Sequence, residues 1–141
     1  MQPVKVFTIG YGGRTRVEFL NLLRNHGVRT VADIRLNPQN AYMGTWVKAK
    51  TAGKGIEGWL TKEGIVYASF PELGNPFLEL KDWRERYEAL LAQRGEEMTA
   101  RLRAADPPYC LLCAERFAAN CHRQVVARYL AERHGVVVED L

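Results

Sequence analysis

The fold is decided by residues 4–15, VKVFTIGYGGRT, in which an apolar run passes through a glycine-rich loop into the start of a helix. The apolar run, residues 4–10, is typical of a buried strand. Thr15 and Glu18 then have the Thr-x-x-Glu spacing of a capping box, which marks a helix N-terminus. Apolar residues recur at helical spacing until Gly27, which is suited to end a helix. This segment therefore predicts a strand followed by a crossover helix.

The same alternation of short apolar runs and longer stretches of helical period continues to the end of the chain. Further strands are predicted over residues 28–35, 65–70, 109–114 and 136–140. Helices are predicted over residues 56–63, 79–104 (with a break at Gly95) and 121–134, and residues 39–55 are predicted to be irregular. We therefore expect a single α/β domain over residues 1–141, a mostly parallel, Rossmann-like open sheet of about five strands with helices on both faces.

Length, charge and hydropathy limit the class of protein. The chain has 141 residues and a net charge of +4, from 20 basic and 16 acidic residues. This mild positive charge permits an anionic ligand but does not by itself indicate nucleic acid. No apolar run reaches the roughly 18 to 20 residues that span a membrane, and the N-terminus is typical of a strand rather than of a signal peptide. We therefore expect a cytoplasmic protein with no membrane partner.

Charged and polar groups follow four of the predicted strands at their carboxyl ends. Because these ends meet at one edge of a parallel sheet, where open α/β sheets bind ligands, we expect the groups to share a pocket. The alternative is that these loops are polar only because they are exposed. The candidate groups are Tyr11 and Arg14, Asp33 and Arg35, Glu72, and then Cys113, Glu115, Cys121, His122 and Arg123.

Asp33 and Arg35 are two residues apart, so on a strand both side chains point to the same face. A charged residue in a central strand is costly unless it is paired. The pair indicates either a structural ion pair that ties a loop, or a base or ligand contact beside a cation. The sequence leaves both interpretations open.

Residues 113–123, CAERFAANCHR, are interpreted first as an anion pocket. The helix predicted from residue 121 has free backbone N–H groups in its first turn, and Arg123 and His122 add donors that carry positive charge. Glu72 and Glu115 are then candidates to orient Arg123 or to act as acid or base.

The three cysteines are odd in number and follow no export signal, so we expect reduced thiols rather than a disulfide framework. Cys110 and Cys113 are three apart in a predicted strand, which puts them on opposite faces and assigns Cys110 to the core. Cys121 is a candidate nucleophile because it precedes His122 and Arg123 at a helix start. Cys113 is a second candidate because it ends a strand, as nucleophiles in such folds often do. A buried apolar role is the alternative for either residue. The spacing of Cys113, Cys121 and His122 matches no common zinc pattern, so no metal and no cofactor are predicted.

Residues 42–59 interleave basic and aromatic side chains with glycines. Such a stretch is suited to stack on bases and contact phosphates, to close over the sheet edge as a lid, or to form a solvated loop with its tryptophans packed on the core. These residues are Tyr42, Trp46, Lys48, Lys50, Lys54 and Trp59.

Four motifs in order, TIGYGGRT, VADIRLNP, GIVYASFPELG and CAERFAANCHR, resemble those of the domain of unknown function 488 family, nearly end to end. The resemblance implies an α/β fold but no agreed reaction. Many relatives carry His-Ser after Ile-Gly, where this chain has Tyr11 and Gly12, so a histidine's role there is absent or passes to Tyr11. The motifs map to Tyr11, Asp33, Arg35, Pro38, Glu72, Gly74, Cys113, Glu115, Cys121, His122 and Arg123.

Together these patterns predict an enzyme of undetermined reaction that binds a small anionic or phosphate-bearing ligand, of the nucleotide or nucleic-acid class. The predicted catalytic residues are Asp33, Glu72, Glu115, Cys113 and Cys121, and the predicted substrate-binding residues are Tyr11, Arg14, Arg35, His122 and Arg123. The alternative is a non-catalytic module that binds a nucleotide or nucleic acid at the same edge. A zinc-stabilised adaptor is a weaker third hypothesis.

Overall fold

The computed structural model describes residues 3–41 and 44–141. Within these residues, five parallel strands form one sheet in the order β3-β2-β4-β1-β5. The strands are β1 (Lys5–Gly10), β2 (Thr30–Asp33), β3 (Val66–Ser69), β4 (Tyr109–Cys113) and β5 (Val137–Asp140). The α-helices in the same part of the chain are α1 (Arg16–Asn25), α2 (Gly55–Lys62), α3 (Trp83–Met98), α4 (Ala100–Arg103) and α5 (His122–His134). None of them is long and apolar enough to cross a membrane.

Helices cover both faces of the sheet because successive strand residues point to opposite sides. One set of strand side chains packs with α1 and α2 and includes Phe7, Ile9, Val31, Cys110 and Leu112. The other set packs with α3, α4 and α5 and includes Val6, Ala32, Leu111 and Cys113. The predicted α/β class, with a parallel open sheet and helices on both faces, is confirmed. The strand order differs from the 3-2-1-4-5-6 order of the dinucleotide-binding Rossmann fold.

The first helix begins where the sequence predicts. The Thr15 side chain accepts a hydrogen bond from the backbone N–H of Glu18 at 3.1 Å, which satisfies one of the free donors of the first turn. At the other end of the chain, Gly135 ends α5 in the left-handed region, with φ of 67°. The start of α1 and the end of α5 therefore both follow ordinary capping chemistry.

Helix α3 runs unbroken from Trp83 to Met98, so the predicted break at Gly95 is wrong. A Cβ atom on Gly95 would lie 2.5 Å from the ring of Tyr129 in α5. Glycine is present because the two helices pack closely there, and a helix interior tolerates it at a cost of about 1 kcal/mol. The helical stretch is instead interrupted at Thr99, before the short α4, and it begins at Trp83 rather than at residue 79.

The carboxyl ends of the central strands lie side by side. Gly10 pairs with Cys113 across β1 and β4, and Asp33 pairs with Leu112 across β2 and β4. The chain leaves β2 toward α2 on one face and leaves β4 toward α5 on the other. Because the two connections diverge to opposite faces, a crevice forms between the ends of these strands.

Candidate functional site

A cleft of about 800 Å³ occupies this edge of the sheet. That size is within the range of small-molecule sites. The cleft is lined by six of the ten predicted site residues: Tyr11, Arg35, Cys113, Glu115, Cys121 and His122. The other four, Arg14, Asp33, Glu72 and Arg123, do not line it. About half of the predicted site residues therefore meet in one cleft at the strand ends, as expected.

Asp33 is fully buried at the end of β2 and holds Arg35 in place. Its carboxylate accepts hydrogen bonds from Arg35 Nε at 2.8 Å and from Nη2 at 2.6 Å. It also accepts one from the Arg35 backbone N–H at 3.1 Å and one from the Tyr67 hydroxyl. The structure therefore contains an Asp33–Arg35 ion pair that presents Arg35 to the cleft, and a catalytic role of Asp33 stays a prediction.

This network sets the charge states of its members. Burial alone would lower the pKa of Arg35, but the hydrogen bonds and the negative charge of Asp33 raise it above its usual value. Burial and the adjacent Asp33 carboxylate both raise the pKa of Tyr67. Arg35 is therefore a permanent cation and Tyr67 a neutral donor at physiological pH.

Two buried donors on cleft residues have no acceptor within residues 3–41 and 44–141. They are Nη1 of Arg35 and Nδ2 of Asn75, whose residues are 8% and 5% exposed. Oδ1 of Asn75 accepts the Phe77 N–H at 2.9 Å, which fixes the orientation of the amide. A buried donor without an acceptor costs about 1–3 kcal/mol, so a hydrogen bond from either atom to a ligand oxygen would be stabilising.

Asn75 was not among the predicted site residues. The available signal was its position in the polar segment that follows β3, next to Gly74. A Cβ atom on Gly74 would lie 2.5 Å from Cα of Leu36, so only glycine lets this segment approach the loop after β2 so closely. Asn75 thereby lines the same cleft as Arg35.

Tyr11 forms an aromatic wall beside Arg35. The guanidinium of Arg35 lies 5.4 Å from the centre of the Tyr11 ring. Tyr11 also stacks on Trp46 with 4.8 Å between ring centres and 14° between planes. Trp46 is buried and packs against Phe19 and Trp59.

The two tryptophans of the basic and aromatic stretch therefore pack on the core rather than presenting free faces. Nε1 of Trp59 donates to the Thr45 carbonyl at 2.8 Å, which ties the loop to α2. Lys50 and Lys54 are exposed. Tyr42 lies outside the described residues, and contact of this stretch with nucleic acid stays a prediction.

Cys113, Cys121 and His122 form a buried cluster on one side of the cleft. The structure joins Cys113 and Cys121 as a disulfide, so the expectation of reduced thiols is wrong for this pair. The pair forms because residues 114–120 turn back and bring the start of α5 against the end of β4. Cys110 is free and buried on the opposite face, as strand parity predicts. Burial raises its pKa.

His122 has a defined orientation within this cluster. Nε2 lies 2.9 Å from the carbonyl oxygen of Ile34, and because a carbonyl only accepts, Nε2 carries the proton. Nδ1 is then the lone-pair nitrogen, 3.7 Å from Sγ of Cys121. Burial lowers the pKa of His122 to about 4, so the imidazole is neutral at physiological pH. A neutral ring adds no positive charge to an anion site.

Arg123 is 1% exposed and supports one wall of the cleft from behind. Its guanidinium donates to the backbone carbonyls of Glu115 at 2.6 Å and Arg116 at 3.1 Å, and Nη1 lies 3.4 Å from Sγ of Cys113. Burial lowers its pKa, and its Nε has no partner among the described residues. Direct contact between Arg123 and a ligand stays a prediction.

The predicted orientation of Arg123 by the carboxylates of Glu72 or Glu115 is not found, because its acceptors are backbone carbonyls. Glu72 instead pairs with Arg101 through two hydrogen bonds of 2.9 Å. Burial alone would raise the pKa of Glu72, but the hydrogen bonds from Arg101 lower it overall. Glu115 is exposed and lines the cleft.

Arg14 is engaged away from the cleft. Its Nε donates to the Gly10 carbonyl at 2.8 Å, and its Nη2 donates to the carbonyl of Leu141 at 3.0 Å. The residue therefore joins the end of β1 to the last residue of the chain. Its predicted part in substrate binding stays a prediction.

Comparison with known proteins gives one match. The model of the family described as "Domain of unknown function DUF488" matches residues 15–130, most of the chain. The matched range includes Arg35, Asn75 and the Cys113, Cys121 and His122 cluster. No curated protein and no solved structure matches significantly.

Proposed function

The chain belongs to the DUF488 family, whose description states no reaction, and we propose that it is an enzyme that binds a phosphate-bearing substrate of the nucleotide class in this cleft. In this proposal, Arg35 and Asn75 bind the anion. Tyr11 contacts the remainder of the substrate, and Glu115 and the cysteine cluster supply the chemistry. The reaction itself is left open.

The observation that carries the proposal is that Arg35 lines the cleft and that its Nη1 has no acceptor among the described residues. Two of the guanidinium's donating nitrogens are already bound to Asp33, so the third is held in a fixed direction. Asn75 contributes a second donor without an acceptor among the described residues. An arginine held in this way is pre-organised for phosphate or carboxylate oxygens.

The size and walls of the cleft favour a nucleotide over a bare anion. About 800 Å³ is more than one phosphate group fills. Phe77 and Leu78 line the same cleft as Arg35, so apolar surface is available to a planar group near the anion site. Aromatic side chains stack on bases of every kind.

An enzyme is favoured over a binding module because groups of acid, base and nucleophile type line the same cleft. Glu115 offers a carboxylate, and Cys113 and Cys121, once their disulfide is reduced, offer thiols beside the neutral His122. Such groups are not needed to bind an anion. The alternative, a non-catalytic module, predicts binding with no turnover of any nucleotide tested.

The experiment is calorimetric titration with nucleoside monophosphates and with inorganic phosphate. The wild type is expected to bind a nucleotide, and Asn75→Asp is expected to weaken binding on the order of 10- to 100-fold, because a donor is replaced by a negative charge. Aspartate keeps the acceptor for the Phe77 N–H, so the fold is retained. Arg128→Ala, which removes an exposed cation on α5, is the control.

Arg35→Lys provides a second variant, since it keeps the charge opposite Asp33 but loses the planar fork. It is expected to weaken binding by a similar factor. Unchanged affinity in both cleft variants, or no affinity of the wild type for any of these anions, would overturn the proposal.

A further inference from the structure

We propose that Cys113 and Cys121, in their thiol form, bind one zinc ion together with His122, with a fourth coordination position open to the cleft. This inference goes beyond the proposed function and does not depend on an anion at Arg35. The spacing of these three residues in the sequence, taken alone, argued against a zinc site.

The three ligand atoms are already gathered. Sγ of Cys113, Sγ of Cys121 and a ring nitrogen of His122 all lie within 4.8 Å of one another. In a tetrahedral zinc site with thiolate and imidazole ligands, these atoms are about 3.6–3.8 Å apart. Nδ1 of His122 lies 3.7 Å from Sγ of Cys121, which fits that separation.

The backbone leaves room for an ion between the two sulfur atoms. The Cα atoms of Cys113 and Cys121 are 7.3 Å apart, wider than the roughly 4.4–6.8 Å of most disulfides. A thiol or phosphine reductant supplies two electrons, and solvent two protons, to convert the disulfide into two thiols, whose side chains then separate without any need for the backbone to open. Zinc then replaces the two thiol protons, which pass to solvent.

The surrounding hydrogen bonds are those that a metal centre needs. The Ile34 carbonyl accepts the Nε2 proton of His122 and so directs the Nδ1 lone pair toward the sulfurs. A backbone acceptor on the far nitrogen is the usual partner of a metal-bound histidine. It also fixes which nitrogen is free to bind.

Both sulfurs have N–H donors as well. The Arg123 backbone N–H lies 3.5 Å from Sγ of Cys121, and Arg123 Nη1 lies 3.4 Å from Sγ of Cys113. Such donors stabilise the negative charge of thiolates, which are the form that binds metal. This assigns the buried Arg123 a role beside the cluster.

The adjacency of Cys121 and His122, which the spacing argument disfavoured, is accommodated by the backbone. Cys121 is extended, with φ of −132° and ψ of 145°, and His122 is the first residue of α5. The change from extended to helical geometry between the two residues brings both side chains to Cys113. No zinc pattern built on a single helix or hairpin anticipates this arrangement.

All three residues line the cleft, so an ion held by them would have a face toward it. Three protein ligands with an open fourth position are the arrangement of catalytic rather than structural zinc. The open position would take water or an oxygen atom of the substrate.

The test is a titration of the full chain, reduced with a phosphine and freed of metal, with Co²⁺ as the probe. One equivalent is expected to produce the intense visible absorption of tetrahedral cobalt with thiolate ligands, and Zn²⁺ is expected to abolish it. Oxidised protein is expected to show no such absorption. Since no anionic ligand is present, the result is separate from that for Arg35 and Asn75.

Cys113→Ser and Cys121→Ser are each expected to lower the affinity by about 100-fold or more. Cys110→Ala is the matched control and is expected to keep one bound ion, because Cys110 lies on the opposite face of the sheet. Circular dichroism verifies that each variant is folded. A reduced wild type without thiolate–cobalt absorption, or a double serine variant that retains it, would refute the proposal.

Discussion

Asp33 accepts two parallel hydrogen bonds from the guanidinium of Arg35, from Nε at 2.8 Å and from Nη2 at 2.6 Å, with both side chains more than nine-tenths buried. In a buried pair of this kind, the attraction between the two charges offsets the free energy of their desolvation only while both charges are present. The geometry therefore makes Asp33 a positioning residue for Arg35.

Replacement of Asp33 by asparagine is expected to lower the free energy of unfolding by about 3–5 kcal/mol, because it leaves a buried cation without its counter-charge. Urea denaturation measures the change. Asp82→Asn is the control: it breaks an exposed pair with Arg86, with side chains about half exposed, and is expected to cost less than about 1 kcal/mol. Equal effects of the two substitutions would show that the Asp33 pair is not stabilising.

The ion pair between Glu72 and Arg101 is expected to make a small, pH-dependent contribution to stability. The pKa of Glu72 is lowered in the folded chain from its usual 4.5, despite a contribution of burial in the opposite direction, by the hydrogen bonds from Arg101. The stabilisation is therefore present above pH 4.5 and is lost as the pH falls through the lowered value.

Because the Glu72 side chain is one-third exposed, the expected size is under about 1 kcal/mol. Urea midpoints at pH 7 and pH 3.5 for the wild type and Glu72→Gln measure it. The variant is expected to lose less stability on acidification than the wild type. If the two lose the same amount, the pair does not contribute.

The contact between Gly95 and Tyr129 predicts that alanine at position 95 destabilises the protein although it favours helix. The Cβ would lie 2.5 Å from the Tyr129 ring, and overpacking of this kind costs about 1–3 kcal/mol. A double-mutant cycle with Tyr129→Ala checks the cause. Gly95→Ala is expected to be neutral or stabilising when the ring is absent, and the same loss in both backgrounds would exclude the ring as its cause.

Gly95 also marks where sequence reasoning fails. The approximate positions of the strands and of helices α1, α2 and α5, and the opposite faces of Cys110 and Cys113, follow from local periodicity, and the structure confirms them. The reason for a glycine inside a helix depends on a partner from a distant part of the chain. No local pattern contains that partner.

The candidate site likewise contains residues that the sequence predicts and residues that depend on distant partners. The expectation that polar groups after the strand ends meet at one edge of the sheet identified six of the residues that line the cleft, because it depends only on topology. It did not foresee that Glu72 pairs with Arg101, 29 positions away, or that Arg123 donates to backbone carbonyls. It did not single out Asn75, whose buried amide donor has no acceptor within the described part of the chain, because burial becomes known only with the tertiary structure.

Cys121 and Cys110 are expected to differ in their rates of alkylation once the disulfide is reduced. Cys121 caps α5 and receives the Arg123 N–H, and it lines the cleft. A helix N-terminus and nearby donors favour the thiolate, which is the reactive form. Cys110 is fully buried in the other core cluster, and burial raises its pKa. Iodoacetamide at pH 7 is therefore expected to alkylate Cys121 well before Cys110.

Mass spectrometry of digests taken over time measures both rates in one sample, so Cys110 serves as the internal control. In 6 M guanidinium, where the fold is lost, the two sites are expected to react at similar rates. Preincubation of the reduced protein with Zn²⁺ is expected to slow alkylation of Cys113 and Cys121 and leave Cys110 unchanged. Alkylation of folded, metal-free protein at equal rates would show that the start of α5 does not activate its cysteine.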